Sequence, residues 1–511
     1  MDEEVNKLTQ EILTPDEKSQ DLLRNTQLAT QDNSIQTRLL KNMKVVFGQD
    51  ARTYIVSDFK NPYACAVGSR QANNHIRQAA SSVGVSLKRN DLNELNDQLK
   101  AYAELHAERQ TVWYRVASEG NAILFDVGDD QHTRIKITPG NVSVITVGCE
   151  TLFYRSPFMK PMIFPAEAGD ITLLHKYLNM HPASIALFVG WLSYTLAHPK
   201  RASTKFVILV LQGNQGSGKT SLCNNVISKI IDPSTVGVQI LPSNSKDLAI
   251  ASQISHVLCY DNLRELKQPI ADMLCIASTG GAVTSRQLYT DSDQQVLNLH
   301  AALVLNGIHS FIDQPDLAQR CLPIQLLPIS ENLRRSEEDI NREFEADLPF
   351  IMCGLLNLIS NIMLHLPTIK VTNPERMIDF VQWLAAMEKV QGVPAGVYQD
   401  AYSYDLRQGQ LDSLLDNVIA VALLEFIKDL NADMWSGKPA DLLVHLNRFV
   451  KIGTQRSREW PQNPIALSKR LIPLQAALLS QGIKIEFTRG KSRAITISFL
   501  GEQHVAFDET F

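Results

Sequence analysis

The stretch VILVLQGNQGSGKTSL, residues 207–222, decides the fold. Its apolar run, Val207 to Leu211, stops at a glycine-rich loop that ends in Lys219-Thr220. The spacing is Gly213, four residues, then Gly218-Lys219-Thr220, the pattern of a phosphate-binding loop. The β-branched and aliphatic run reads as a buried parallel strand. Gly213, Gly216 and Gly218 allow the backbone of Gly213, Asn214, Gln215, Gly216, Ser217, Gly218, Lys219, Thr220 and Ser221 to turn its N–H groups toward one anion. A helix is expected to follow from Ser221 to Ile230, its N-terminus completing the cradle. Lys219 is then expected at the β- and γ-phosphates and Thr220 at Mg²⁺, which makes ATP and Mg²⁺ the expected ligands. The plainer alternative is an ordinary glycine-rich turn between strand and helix.

Such a loop needs a second strand ending in an acid near the metal. The segment SHVLCYDNL supplies one, with His256 to Tyr260 strand-like and Asp261 at its end. The residue after Asp261 is Asn262, which holds water by hydrogen bonds but cannot take its proton. A third strand, LHAALVLNGI, stops at Asn306, placed either to touch the γ-phosphate or to begin an Asn-Gly turn. In DQPDLAQRCLPIQL, Arg320 follows a short helix. It is either a solvated helix end or an arginine finger for a nucleotide held by a neighbouring subunit.

The 511 residues allow several domains, and 44% hydrophobic with 20% charged residues describes a soluble globular chain. The polar, acidic opening MDEEVNKLTQ does not read as an export signal, so none is expected. The apolar stretches near 185–197 and 348–366 read as buried helices rather than membrane spans, so no membrane partner is expected. Seven cysteines without a C-x-x-C pair argue for reduced thiols in a cytoplasmic setting and against zinc. Net charge is −5, yet Lys438 to Arg493 holds eleven Lys/Arg against three Asp/Glu, a basic module of about +8 on an acidic chain.

The expected organisation is multidomain α/β. It comprises a polar acidic tail (1–40), an N-terminal α+β domain (41–155) with one long polar helical stretch at 70–109, and a helical connector (156–200). A P-loop ATPase core with a parallel sheet (201–330), a helical region (331–430) and a basic winged-helix-like domain (431–511) follow. In the last, Asn463-Pro464 starts a helix that Pro473 must kink, and two alternating runs form a hairpin tipped by RGKSR. Lys469 and Arg470 on that helix, with Arg489, Lys491 and Arg493 on the wing, are expected to meet DNA phosphates; the alternative is a solvated or protein-docking surface.

Taken in order, GNQGSGKTS, CYDNL, STGGAVTSRQLYTD, LVLNGI and PDLAQR resemble the ATPase core of phage- and plasmid-type primase–helicases, akin to superfamily 3 helicases and, more distantly, the poxvirus primase–helicase. The resemblance covers about 201–330. It implies an AAA+-like core, a homo-oligomeric ring, and ATP-driven movement on DNA, single-stranded by expectation, in replication of a mobile element. It also implies Lys219 and Thr220 as nucleotide and Mg²⁺ residues, Asp261 as the metal-side acid, Asn306 as a sensor and Arg320 as the finger. No complete primase domain is recognisable in 1–155, and Asn262 breaks the family's acid–acid pair. In helicases of this kind a hairpin at 282–300 lines the pore. Arg286 and Tyr289 would there contact phosphate and base, or Arg286 would instead serve the nucleotide or a neighbour, because the turn is acidic. Two functions remain: a DNA helicase or translocase, and a regulatory ATPase whose nucleotide state controls binding without unwinding.

Overall fold

The computed structural model describes residues 44–57, 61–82, 84–286, 294–308, 311–312, 314–371, 375–430, 432–488 and 494–499. The tail expected at 1–40 lies outside them. The chain divides into two units. One runs to Val112 and includes Gly148–Pro157; the other comprises Trp113–Val147 and Phe158 onward.

In the first unit, strands Glu108–Gln110, Lys44–Gly48, Thr53–Val56, Tyr63–Ala66 and Leu152–Tyr154 lie side by side in that order. The helical stretch expected at 70–109 is two helices, Arg70–Ser82 and Arg89–His106. Gly84, at φ 79°, takes the left-handed turn between them that a side chain would resist. Ala72, Ile76, Leu92, Leu95 and Leu99 bury their helix faces with Ile55 and Cys65 of the sheet.

In the second unit, strands β1 (Ile208–Gln212), β2 (Val257–Leu263), β3 (Ala302–Gly307) and β4 (Cys321–Gln325) form an all-parallel sheet of order β2-β3-β1-β4. Their side chains alternate between two cores, as a sheet covered on both faces requires. Leu209, Leu211, Val304 and Ile324 join one core with helices Pro182–Ala197 and Glu337–His365. Ile208, Val210, Leu303 and Leu305 join the other with Leu248 and Leu274 from helices Ser245–Gln253 and Gln268–Thr279. The helix Glu337–His365 is long and apolar enough to span a bilayer, but Leu348, Ile351, Leu355 and Ile359 pack it into the sheet's core.

The meander of strands Val116–Glu119, Ala122–Asp126, Arg134–Thr138 and Asn141–Ile145, expected within 41–155, belongs to this second unit. Phe125, Ile135 and Ile137 share the core of Leu209 and Leu211. Arg115, fully buried, donates to Asp232 Oδ1 at 2.9 Å and to the carbonyls of Val127, Lys160 and Pro233. The connector expected to be helical over 156–200 has helix only at Ile171–Tyr177 and Pro182–Ala197. Pro157, Pro161 and Pro165 remove the donors a helix would need before them.

From 418 the chain builds a separate core: helix Val418–Asp429, strand Met434–Gly437, helix Pro439–Leu446, helices Pro464–Leu471 and Gln475–Ser480, then strands Ile483–Thr488 and Ala494–Phe499. The last strand lies between the other two, antiparallel to both. The break at 472–474 falls where Pro473 forbids the helical hydrogen bond.

Candidate functional site

β1 delivers the chain to the glycine loop at the carboxyl end of the parallel sheet. Gly213 has φ 152°, and a Cβ there would lie 2.8 Å from Ser217 Oγ and 3.0 Å from the Leu326 carbonyl. Gly216 and Gly218 take φ 81° and 88°. The loop can close this tightly only with glycine at these positions. The following helix runs as Lys219–Ser221, a π-helical turn Leu222–Ile227, and Ser228–Ile231. Asn179, outside the motif, donates from Nδ2 to the Ser217 and Leu327 carbonyls and ties the loop to the chain beyond β4.

Lys219 Nζ curls back on the loop, donating to the carbonyls of Gly213 at 2.5 Å and Asn214 at 3.1 Å. Partial burial lowers its pKa, and the nearby Asp261 carboxylate opposes that shift. Thr220 Oγ1 donates to Asp261 Oδ2 at 2.6 Å, and Asp261 Oδ1 accepts from the Asn262 N–H at 2.7 Å. β2 changes register between Tyr260 and Leu263, and in this bulge Asn262 is exposed with φ 61°. Asn tolerates the left-handed region better than most side chains, which accounts locally for an amide at this position.

Asn306 is elsewhere than its sensor reading requires. It is fully buried, opposite Leu211 in register, with Nδ2 3.3 Å from Cys223 Sγ beneath the loop helix. Strand alternation gives it the face that packs against that helix, so the cleft wall at this strand end is Gly307 and Ile308 instead. Arg320 lies at the other end of the sheet. Ile208 pairs with Cys321 and Gln212 with Gln325, so Arg320 and the loop stand at opposite ends of these neighbouring strands. Arg320 Nε donates to Asp316 Oδ2 at 3.3 Å, and Arg376 donates to the other Asp316 oxygen and to Gln319.

Over the loop opens a cleft of about 790 Å³, walled by residues 215–221, Asn224, 261–264, Gly307, Ile308 and Glu337. Asn225 Nδ2 joins Ser221 Oγ and Glu337 Oε1 at 3.0 Å each. An Arg334 guanidinium nitrogen comes within 3.7 Å of where a Gly216 Cβ would stand. Sequence reasoning missed Asn179, Asn224, Arg264, Arg334 and Glu337. The Arg334–Glu337 segment offered only its mixed charge as a signal, inside what reads as a helical region.

Strands Gly281–Arg286 and Gln294–Leu299 pair antiparallel, which is the expected hairpin; Arg286 closes the first strand, and Tyr289 lies outside the described residues. Lys469 is exposed on helix Pro464–Leu471. Arg470 instead donates to the carbonyls of Glu459 and Arg458, so it braces the preceding loop. Arg489, Lys491 and Arg493 lie outside the described residues.

Residues 171–412 match the family model described as actinomycete integrative conjugative element replication protein, and residues 419–506 match the model of the AICE RepA C-terminal domain. A search of curated proteins returned no match. Among solved structures, an A-form apo structure of the NrS-1 C terminal region is similar at 13% identity and TM-score 0.37, over 91% of this chain and 98% of that one. Another A-form apo structure, of NrS-1 residues 305–718, gives 12% identity and TM-score 0.36 over 91% and 97%. The two family models follow one another along the chain as a protein and its C-terminal domain, and over these residues the chain is similar to a replication protein of a mobile element.

Proposed function

We propose that the chain is an ATP-hydrolysing motor of mobile-element DNA replication, with an AAA+-like P-loop core and a C-terminal winged helix. The observation that carries this reading is the convergence of Lys219, Thr220 and Asp261 at the mouth of a three-glycine loop, with Thr220 Oγ1 2.6 Å from Asp261 Oδ2. A hydroxyl beside a carboxylate is a hard-oxygen pair that suits Mg²⁺, which keeps most of its remaining ligands as water and phosphate. Thr220 and Asp261 would hold the ion, which when bound offsets charge on the β- and γ-phosphates. The loop N–H groups and helix N-terminus cradle the phosphates, and Lys219 exchanges the loop carbonyls for phosphate oxygens. Arg334 adds a cation over Gly216. The C-terminal order of helix, strand, helix, helix and hairpin supports reading the module as a winged helix whose helix Pro464–Leu471 would face nucleic acid.

The test measures Mg²⁺-dependent ATP turnover and strand displacement by the full chain beside its Lys219→Ala variant. Turnover lost in a folded Lys219→Ala chain supports the site; wild-type turnover in that variant rejects it. A second reading, a DNA-bound switch that hydrolyses ATP without unwinding, is favoured by the exposed amide of Asn262 where a base would stand. ATP turnover stimulated by DNA without strand displacement selects it.

A further inference from the structure

Between helices Pro439–Leu446 and Pro464–Leu471 the chain makes a long excursion, residues 447–463, that holds itself together by side-chain amides. Gln455 Nε2 donates to the Asn447 carbonyl at 2.8 Å and the Val450 carbonyl at 3.1 Å. Gln462 Nε2 donates to the carbonyls of Gln455 at 2.8 Å, Ser457 at 3.4 Å and Trp460 at 3.2 Å. Trp460, 2% exposed, sends Nε1 to Asn447 Oδ1 at 2.8 Å and closes the loop's two ends. Arg470 grips the Arg458 and Glu459 carbonyls from the neighbouring helix. Backbone acceptors that a surface loop would leave to water are thus taken by the loop's own side chains.

On this braced loop Arg448, Lys451, Arg456 and Arg458 are all exposed, and none forms an ion pair with a described residue. Its one acid is Glu459. Four cations within 11 residues repel one another, a cost that folding alone does not explain. Cations held without counter-charges on a preorganised backbone suit a regularly spaced polyanion. We infer that loop 447–463 is a phosphate-binding surface for the DNA backbone, with Arg448, Lys451, Arg456 and Arg458 as its contacts and Lys469 beside them. Arg470 is a positioning residue that holds the loop in shape. The inference rests on the reading of the chain as a DNA-acting protein, and it adds a non-specific anchor that the hairpin tip alone would not provide.

The experiment measures binding of the full chain to labelled single-stranded and duplex DNA across KCl concentrations of about 50–200 mM. Each lost phosphate contact on duplex removes about 0.9 from the slope of log affinity against log salt, so the variant Arg448→Gln/Lys451→Gln/Arg456→Gln/Arg458→Gln should be shallower by about 3–4. The half-variants Arg448→Gln/Lys451→Gln and Arg456→Gln/Arg458→Gln should each lose about 2, which keeps the test open if the fourfold variant fails to fold. ATP turnover without DNA should be unchanged. Wild-type binding with unaltered slopes in the variants overturns the loop assignment alone. A wild-type chain that binds neither DNA in a salt-dependent way overturns the DNA reading and this inference with it.

Discussion

Thr220, on the helical turn after the glycine loop, and Asp261, near the end of β2, meet at 2.6 Å, and that contact gives the cleft a chemical direction. On the proposed reading, Mg²⁺ would bind on the Asp261 side and the loop N–H groups would face the phosphates. Removing the Lys219 cation should abolish hydrolysis while leaving thermal unfolding unchanged, since its short contacts are to loop carbonyls on a half-exposed turn. Asn262 gives a finer test. Asn262→Gly keeps the φ of 61° at no steric cost, so it should fold as the wild type does. If the amide orients water, Asn262→Gly should lower kcat and leave KM nearly unchanged. A proportional rise in KM would assign Asn262 to nucleotide binding instead. Lys219, Thr220 and Asp261 were legible because loop spacing and strand ends are local. The left-handed turn that favours Asn262 was not, because it follows from a register shift of β2 against β3.

At the scale of elements, the same distinction recurs. The hairpin at 281–299, the C-terminal hairpin and the proline break at 473 follow from alternation and backbone chemistry, and sequence reasoning found them. Strands 116–145 join the larger unit through their shared core and through Arg115 reaching Asp232 across 117 residues, and no local pattern announces that pair. The Asp232 carboxylate also accepts the His256 N–H at 2.6 Å, so one ion pair joins the meander to β2's entry. Truncating one partner leaves the other charged and buried, which costs about 3–5 kcal/mol. Arg115→Met should therefore lower the melting temperature sharply. Acid should act on the same region. Burial pushes His256 to about 3 and His198 and His300 to about 4. Each is neutral in the folded chain and gains a proton on unfolding below about pH 6.5. Their contribution is fully present above that pH and declines as pH falls toward the folded values. Denaturant midpoints measured from pH 7 to 5 should drop, and His256→Gln should flatten the decline.

For the whole molecule, the glycine loop and Arg320 lie at opposite ends of the neighbouring strands β1 and β4, so Arg320 is not placed to serve a nucleotide held by its own loop. Asp316 holds Arg320 and Arg376 together at that far end, and on the proposed ring reading a second copy's triphosphate would meet them there. A guanidinium reaching the γ-phosphate in this way is worth about 10³–10⁵ in rate. If subunits form a ring in which each Arg320 completes the next site, Arg320→Ala should bind ATP at an intact loop yet hydrolyse it poorly. Lys219→Ala should carry an intact Arg320 and a dead loop. Each variant alone should be nearly inactive. Mixed, some Arg320→Ala subunits receive Arg320 from a Lys219→Ala neighbour, and activity should partly return. Arg376→Ala should act in the same direction, more weakly if it only steadies Asp316. Subunit exchange shown by labelling, with no recovery of turnover, would leave Arg320 as a structural partner of Asp316 and remove the shared site from the model.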